Sequence, residues 1–223
     1  MAIIFIQISI LFLSVVLHEI AHGYTAYRRG DDTAYLMGRL TLNPVSHVDI
    51  FGTIVMPVLC YISGLPMFGW AKPVPVNTTR LHRPRHDMGV VAAAGPLTNI
   101  SIALVLAIVL KISFHIDPSL IFTVNETNPN LIGQTAYMSI MTYGVLINIL
   151  LAVFNMIPVL PLDGGRVLSA ILPINMSDKY AQFERYGLMV IMAFVVFGGG
   201  RLLSPVVNFA YSALIYLIIG VRV

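Results

Sequence analysis

From Ile3 to Tyr27 the chain carries no ionisable side chain before His18, and Arg28-Arg29 then end the apolar run. A run of this length matches the about 20 residues needed to cross the hydrocarbon core of a bilayer. Four more apolar runs follow at Asp87–Ile112, Gly133–Ile157, Tyr186–Phe197 and Leu202–Gly220. Gly198-Gly199-Gly200 with Arg201 separates the last two and reads as a tight turn. Composition agrees, with 57% hydrophobic residues and only 10% charged, where an ordinary soluble domain carries roughly 25% charged. Mean hydropathy is +0.85, so the apolar excess is spread along the chain. These features exclude a soluble domain. They predict an all-α polytopic membrane protein forming a single membrane-embedded domain over residues 1–223.

The net charge of +3 fits a membrane protein whose basic residues hold loops on the cytoplasmic side against anionic headgroups. No basic stripe alternates with aromatics, so the expected partner is the lipid bilayer and not nucleic acid. The single cysteine, Cys60, cannot form an intrachain disulfide and says little about redox compartment. The first run lacks a basic leader and a small-residue cleavage site, so it reads as a retained span.

Ile50–Pro66 is apolar but short, and it is interrupted by Gly52, Pro57 and Gly64. The following Trp70–Val76 stretch contains Pro73 and Pro75 and cannot be regular helix. Arg28, Arg29 and Arg39 precede this region; Lys72, Arg80, Arg83 and Arg85 follow it. A full crossing would put the two basic clusters on opposite faces, against the positive-inside tendency. A re-entrant, β-like excursion over residues 50–78 keeps both cytoplasmic. That topology also places Arg166, Lys179, Arg185 and Arg222 inside and the polar loop His115–Asn130 outside. Irregular backbone at membrane depth implies a water-filled cavity beside it.

His18-Glu19-Ile20-Ala21-His22 has the pattern H-E-x-x-H. Positions i and i+4 of a helix share a face, so both imidazoles can reach one ion. Glu19 is then placed to act as general base. Ionisable groups inside a spanning helix are costly in lipid, which marks them as functional. A catalytic zinc site takes three protein ligands and leaves one position open. Asp163 is the outstanding third candidate, in the stretch Pro158-Val159-Leu160-Pro161-Leu162-Asp163-Gly164-Gly165. His22 lies six residues before Arg28, or about 9 Å along the helix. Asp163 lies at the cytoplasmic end of the third span, at similar depth. Asn99 and Asn155 are polar residues within spans; they either orient substrate or a metal ligand, or bridge helices by hydrogen bonds. His47, His82 and His86 read as solvated or headgroup-facing loop residues, and His115 as a surface residue on the opposite side.

With these residues in place, the chain resembles the site-2 protease family of intramembrane zinc metalloproteases over most of its length. The resemblance rests on His18–His22, on Asn155–Gly165 (N-x-x-P-x-x-P-L-D-G-G) and on Ala94-Gly95-Pro96-Leu97-Thr98-Asn99. Asn43-Pro44, Gly52-Thr53 and Trp70–Val76 further resemble the compact bacterial and archaeal branch, and His115–Asn130 is too short for a PDZ-like insertion. No regulatory domain is expected after the last span. The resemblance implies a three-helix catalytic core followed by two C-terminal helices. It implies one zinc ion on His18, His22 and Asp163, and Glu19 as catalytic base. It implies substrate contacts from Asn155, with Asn99 in the neighbouring motif as a second candidate, and a substrate path beside Lys72–Val76. The expected reaction is hydrolysis of peptide bonds in or near transmembrane segments of membrane-protein substrates. The expected location is the plasma membrane of a bacterium or archaeon, with the site toward the cytoplasm. A metal-ion transporter or an inactive membrane scaffold would be the alternatives. Nothing in the sequence sets an oligomeric state.

Overall fold

The computed structural model describes residues 2–62, 71–117 and 132–219, and every regular element among them is helical. The polar loop expected outside the membrane, and the Trp70 end of the re-entrant stretch, fall largely outside the described residues. Among the described residues, four helices are long and apolar enough to cross a bilayer: α1 (Ala2–Arg28), α4 (Pro84–Ile116), α5 (Ile132–Asn155) and α9 (Gly200–Ile219). The chain is an integral, multi-pass membrane protein. Exposed apolar side chains such as Phe5, Leu13, Ile100, Leu104, Phe209 and Leu217 cover their outer faces. In water such a surface would aggregate; in lipid it is the expected exterior.

The remaining helices are short. α2 (Thr33–Leu36) follows α1, and a turn of 3-10 helix covers Pro44–His47. The apolar stretch after it is a wide-turn helix, Ile50–Val55, running into α3 (Met56–Ile62). The described part of this stretch, Ile50–Ile62, is shorter than the about 20 residues that a crossing takes. Ala71–Asn77 forms no strand among the described residues. Pro73 and Pro75 lack the N–H that a ladder needs, and they disfavour helix at the preceding Lys72 and Val74. The segment is irregular and is held by single bonds such as Lys72 N–H to His47 O. α6 (Asp163–Ile171) and α7 (Ile174–Ala181) precede α8 (Glu184–Val196). The fourth expected span coincides with α8, whose 13 residues fall short of the about 20 that a crossing takes. Glu184 opens it and Gly198, at φ +82°, turns the chain directly after it.

α4 packs along α1 and α5, α1 also meets α5, and α9 closes on α4 and α5. Ala103, Ala107 and Leu110 of α4 meet Val145 and Ile149 of α5 and Val207 and Ile215 of α9 in one buried cluster. Lipid gives no hydrophobic drive between helices, so small residues at contacts govern how closely they approach. Gly144 is such a residue: a Cβ there would lie 2.8 Å from Leu106 Cδ1.

Polar bonds fix the C-terminal end of α1. Arg29 donates to Asp87 at 2.5 Å, His82 N–H donates to Arg29 O at 3.0 Å, and Arg83 N–H donates to Asp87 at 2.8 Å. Asp87 is 1% exposed. Such a buried pair adds little net stability because both charges lose water. Its effect is to set the register of α1 against the start of α4.

Candidate metal centre

Helix α1 presents His18 and His22 one turn apart toward α4, and both are buried. Asp163 reaches them from the first turn of α6. Its Oδ2 lies 3.1 Å from His18 Nε2 and its Oδ1 lies 3.3 Å from His22 Nε2. One ligand atom from each residue falls within 4.8 Å of the others, a grouping that could hold a metal ion. The three residues picked out in the sequence are therefore brought together.

The hydrogen bonds show which imidazole nitrogens face the centre. His22 Nδ1 is 2.7 Å from Val91 O; a carbonyl only accepts, so this nitrogen carries the proton. His18 Nδ1 is 2.6 Å from Asn99 Oδ1. The orientation of that amide is fixed, because Asn99 Nδ2 donates to Ser14 O at 3.5 Å and to Asn148 Oδ1 at 2.9 Å. Asn148 is fixed in turn by donating to Gly144 O and Ser14 Oγ. Both Nδ1 atoms are thus donors, leaving the two Nε2 atoms as bare lone pairs only 3.0 Å apart. Asp163 Oδ2 is buried beside them and accepts no hydrogen bond among the described residues. Two lone pairs and a carboxylate converging without a donor repel one another, and a cation removes that repulsion. The donor set suits zinc, which takes imidazole nitrogen and carboxylate oxygen.

Space for the cluster comes from Gly95 on α4. A Cβ at that position would lie 2.4 Å from His22 Nε2 and 2.5 Å from His18 Cε1. Glycine normally weakens a helix interior, so its use here follows from the imidazoles. Gly164 and Gly165 do the same for Asp163: a Cβ on the first would lie 2.2 Å from Met156 O, and one on the second 2.5 Å from Leu160 N. The Met156–Leu162 loop therefore folds directly onto the start of α6. That loop contains a cis Leu160–Pro161 bond.

Glu19 sits beside the ligands and accepts a hydrogen bond from Val74 N–H at 2.8 Å. The Lys72–Val76 stretch, expected near the substrate path, thus lies against the carboxylate. Gly23, one residue past His22, lets Leu40 and Val74 pack against α1, since a Cβ there would come within 2.6 and 2.8 Å of them.

The two asparagines differ. Asn99 is fully buried, and its amide is engaged by His18, Ser14 and Asn148. Asn155 is half-buried at the end of α5, and its Nδ2 donates to Leu151 O in its own helix at 2.9 Å. His82 and His86 are exposed as expected. His47 is not solvated: it is fully buried, with Nε2 donating to Thr41 O at 2.8 Å and its carbonyl accepting from Lys72 N–H at 2.9 Å. A loop position had suggested solvent, but the loop folds over α1. Gly95 and Asn148 were missed as site residues. A glycine inside a spanning helix opposite the His pair, and a second asparagine within the third span, were the available signals. Val91 contributes through its backbone and has no side-chain signature.

Comparison with known proteins agrees with this geometry. The chain is 36% identical over 210 residues to "Putative zinc metalloprotease YwhC" of Bacillus subtilis, covering 93% of this chain and 88% of that protein. It is 25% identical over 204 residues to "Putative zinc metalloprotease Rip2" of Mycolicibacterium smegmatis, covering 92% and 69%. It is 29% identical over 175 residues to "Zinc metalloprotease MJ0392" of Methanocaldococcus jannaschii, covering 78% and 35%. No solved structure matches the chain. The sequence profile of peptidase family M50 matches residues 6–198. The chain belongs to peptidase family M50 and is a membrane-embedded zinc metalloprotease.

Proposed function

We propose that the protein hydrolyses peptide bonds in or near transmembrane segments of membrane-protein substrates, with zinc on His18, His22 and Asp163 and Glu19 as general base. The observation that carries this reading is the convergence of two bare Nε2 atoms on spanning helix α1 with the half-buried Asp163 carboxylate at the start of α6, with Glu19 adjacent. Bound zinc supplies Lewis-acid polarisation of a carbonyl and activation of water at neutral pH. Glu19 takes the proton of the attacking water and returns it to the leaving amine. Asn99 holds His18 in the tautomer that turns Nε2 to the metal, and Val91 O does so for His22. Asn99 is therefore proposed to act through His18 and not on substrate, while Asn155, nearer the surface, keeps the substrate role. Regulated cleavage of membrane proteins, with the site toward the cytoplasm, is the biological setting this supports; the Arg28-Arg29 pair just beyond His22 favours that side.

A helical substrate hides its carbonyls in i→i−4 bonds and has to unwind locally before cleavage. An unwound segment is proposed to lie beside Lys72–Val76, where substitution of Lys72 or Pro73 should weaken cleavage of at least some substrates. The test of the whole reading is co-expression with candidate single-span proteins. Wild type should convert at least one to a shorter product, and Glu19→Gln should accumulate it uncleaved while retaining zinc. Equal processing by Glu19→Gln would remove the base assignment, and metal flux in liposomes without cleavage would point to a transporter.

A further inference from the structure

Besides Asp87, two buried charged side chains lie outside the metal cluster, and both hold the same piece of backbone. Arg39 is 6% exposed, and its Nη2 donates to Lys72 O at 2.9 Å and to Pro73 O at 3.3 Å. Asp31 is fully buried and accepts from Asn77 N–H at 2.6 Å, besides Thr33 of its own turn. Between these anchors lies Val74, whose N–H reaches Glu19. Neither charge pairs with the other, although burial of an unpaired charge is costly. Arg39 Nε has no hydrogen-bond partner among the described residues, so the guanidinium is not there for a saturated network of its own. What it does accomplish is to fix two consecutive carbonyls next to the Val74 amide that donates to Glu19. The prolines at 73 and 75 cannot donate, so the segment depends on Lys72, Val74 and Asn77 for its N–H anchors.

We propose that Arg39 is a positioning residue for peptide hydrolysis: by clamping the Lys72 and Pro73 carbonyls it holds Val74 N–H on Glu19 and thereby fixes the carboxylate beside the metal cluster. The proposal rests on the reading of Glu19 as base. Arg39 touches neither the ligands nor the reacting atoms, so its loss leaves the metal in place and displaces the base. A displacement on the order of 1 Å in such a group costs about 100-fold in rate. Asp31 anchors the far end of the segment, and its influence on Glu19 is weaker because Pro75 and Val76 separate Asn77 from Val74.

The experiment uses the full chain, zinc-loaded in lipid nanodiscs, with a single-span reporter that the wild-type chain cleaves. Arg39→Met keeps the aliphatic stem and removes the donors; Arg39→Lys keeps the charge but not the fork. For Arg39→Met the expected results are one zinc per chain as in wild type, kcat lowered about 30- to 100-fold, and a smaller change in KM. Amide exchange in residues 71–77 should rise about tenfold or more. Arg39→Lys should recover part of both effects, and Asp31→Asn should show the same pattern with a smaller loss of kcat. If Arg39→Met does not fold, the Lys and Asn variants carry the test by the same two readouts. Faster exchange with unchanged kcat, unchanged exchange with lowered kcat, or loss of zinc would each overturn the proposal. Glu19→Gln is measured in parallel. If it stays active, the base assignment fails; if it is inactive while Arg39→Met has normal kcat, only the role of Arg39 fails.

Discussion

The two sides of the metal cluster are built differently. On the helical side, His18 and His22 each give Nδ1–H to a fixed acceptor, and Asn99, Asn148 and Ser14 satisfy one another inside the α1–α4–α5 core. On the loop side, among the described residues, Glu19 leans on one backbone N–H from an irregular segment anchored at its ends by Arg39 and Asp31. The first arrangement is over-determined and suits ligands that stay in one geometry. The second depends on few bonds and suits a base that has to meet an incoming chain. The comparison teaches that metal binding and turnover are held by separate structural devices, so substitutions on the two sides should separate them.

The sharpest break comes at Gly95. Alanine is the better helix former by about 1 kcal/mol, so Gly95→Ala should not lower the stability of α4 through propensity. Its methyl nevertheless enters the space of both imidazoles. Zinc affinity should fall by about 100-fold, the upper end for changes around a ligand, with cleavage falling in parallel. Titration with a zinc chelator reads the affinity; wild-type affinity would show that the helices separate freely and that the core is not over-determined.

Asn99→Leu sharpens the same side. The residue accepts from His18 Nδ1 and donates to Asn148, so zinc affinity should fall about 10- to 30-fold. Thermal stability should also drop by about 1 kcal/mol as the partner groups lose a bond. A change in KM alone, with zinc unaffected, would instead return Asn99 to the substrate. The smallest effect belongs to Asn155→Ala. Its Nδ2 serves its own helix, so kcat/KM should fall less than about tenfold, on the scale of one hydrogen bond, with zinc affinity unchanged.

Much of the helical side was legible in the sequence. Spans over 3–27, 87–112, 133–157 and 202–220 correspond to α1, α4, α5 and α9 within a few residues, because continuous apolar runs have few alternatives in a bilayer. The His pair and Asp163 were legible because ionisable groups at that depth are rare. The loop side was not. Arg39, Asp31 and His47 have the look of solvated loop residues, and their burial arises only when the 31–47 and 71–83 stretches fold over the end of α1. No periodicity announces that packing. The shorter run Tyr186–Phe197 corresponds to α8, a helix of 13 residues.

The central claim is that the ligand set and the base are separable. Zinc content of purified Asp163→Ala and Glu19→Gln, measured side by side with wild type after gentle chelation, tests it most directly. The account predicts about one zinc per chain for wild type and Glu19→Gln and little or none for Asp163→Ala, with neither variant cleaving substrate. Retention of zinc by Asp163→Ala at wild-type affinity, or its loss from Glu19→Gln, would contradict it.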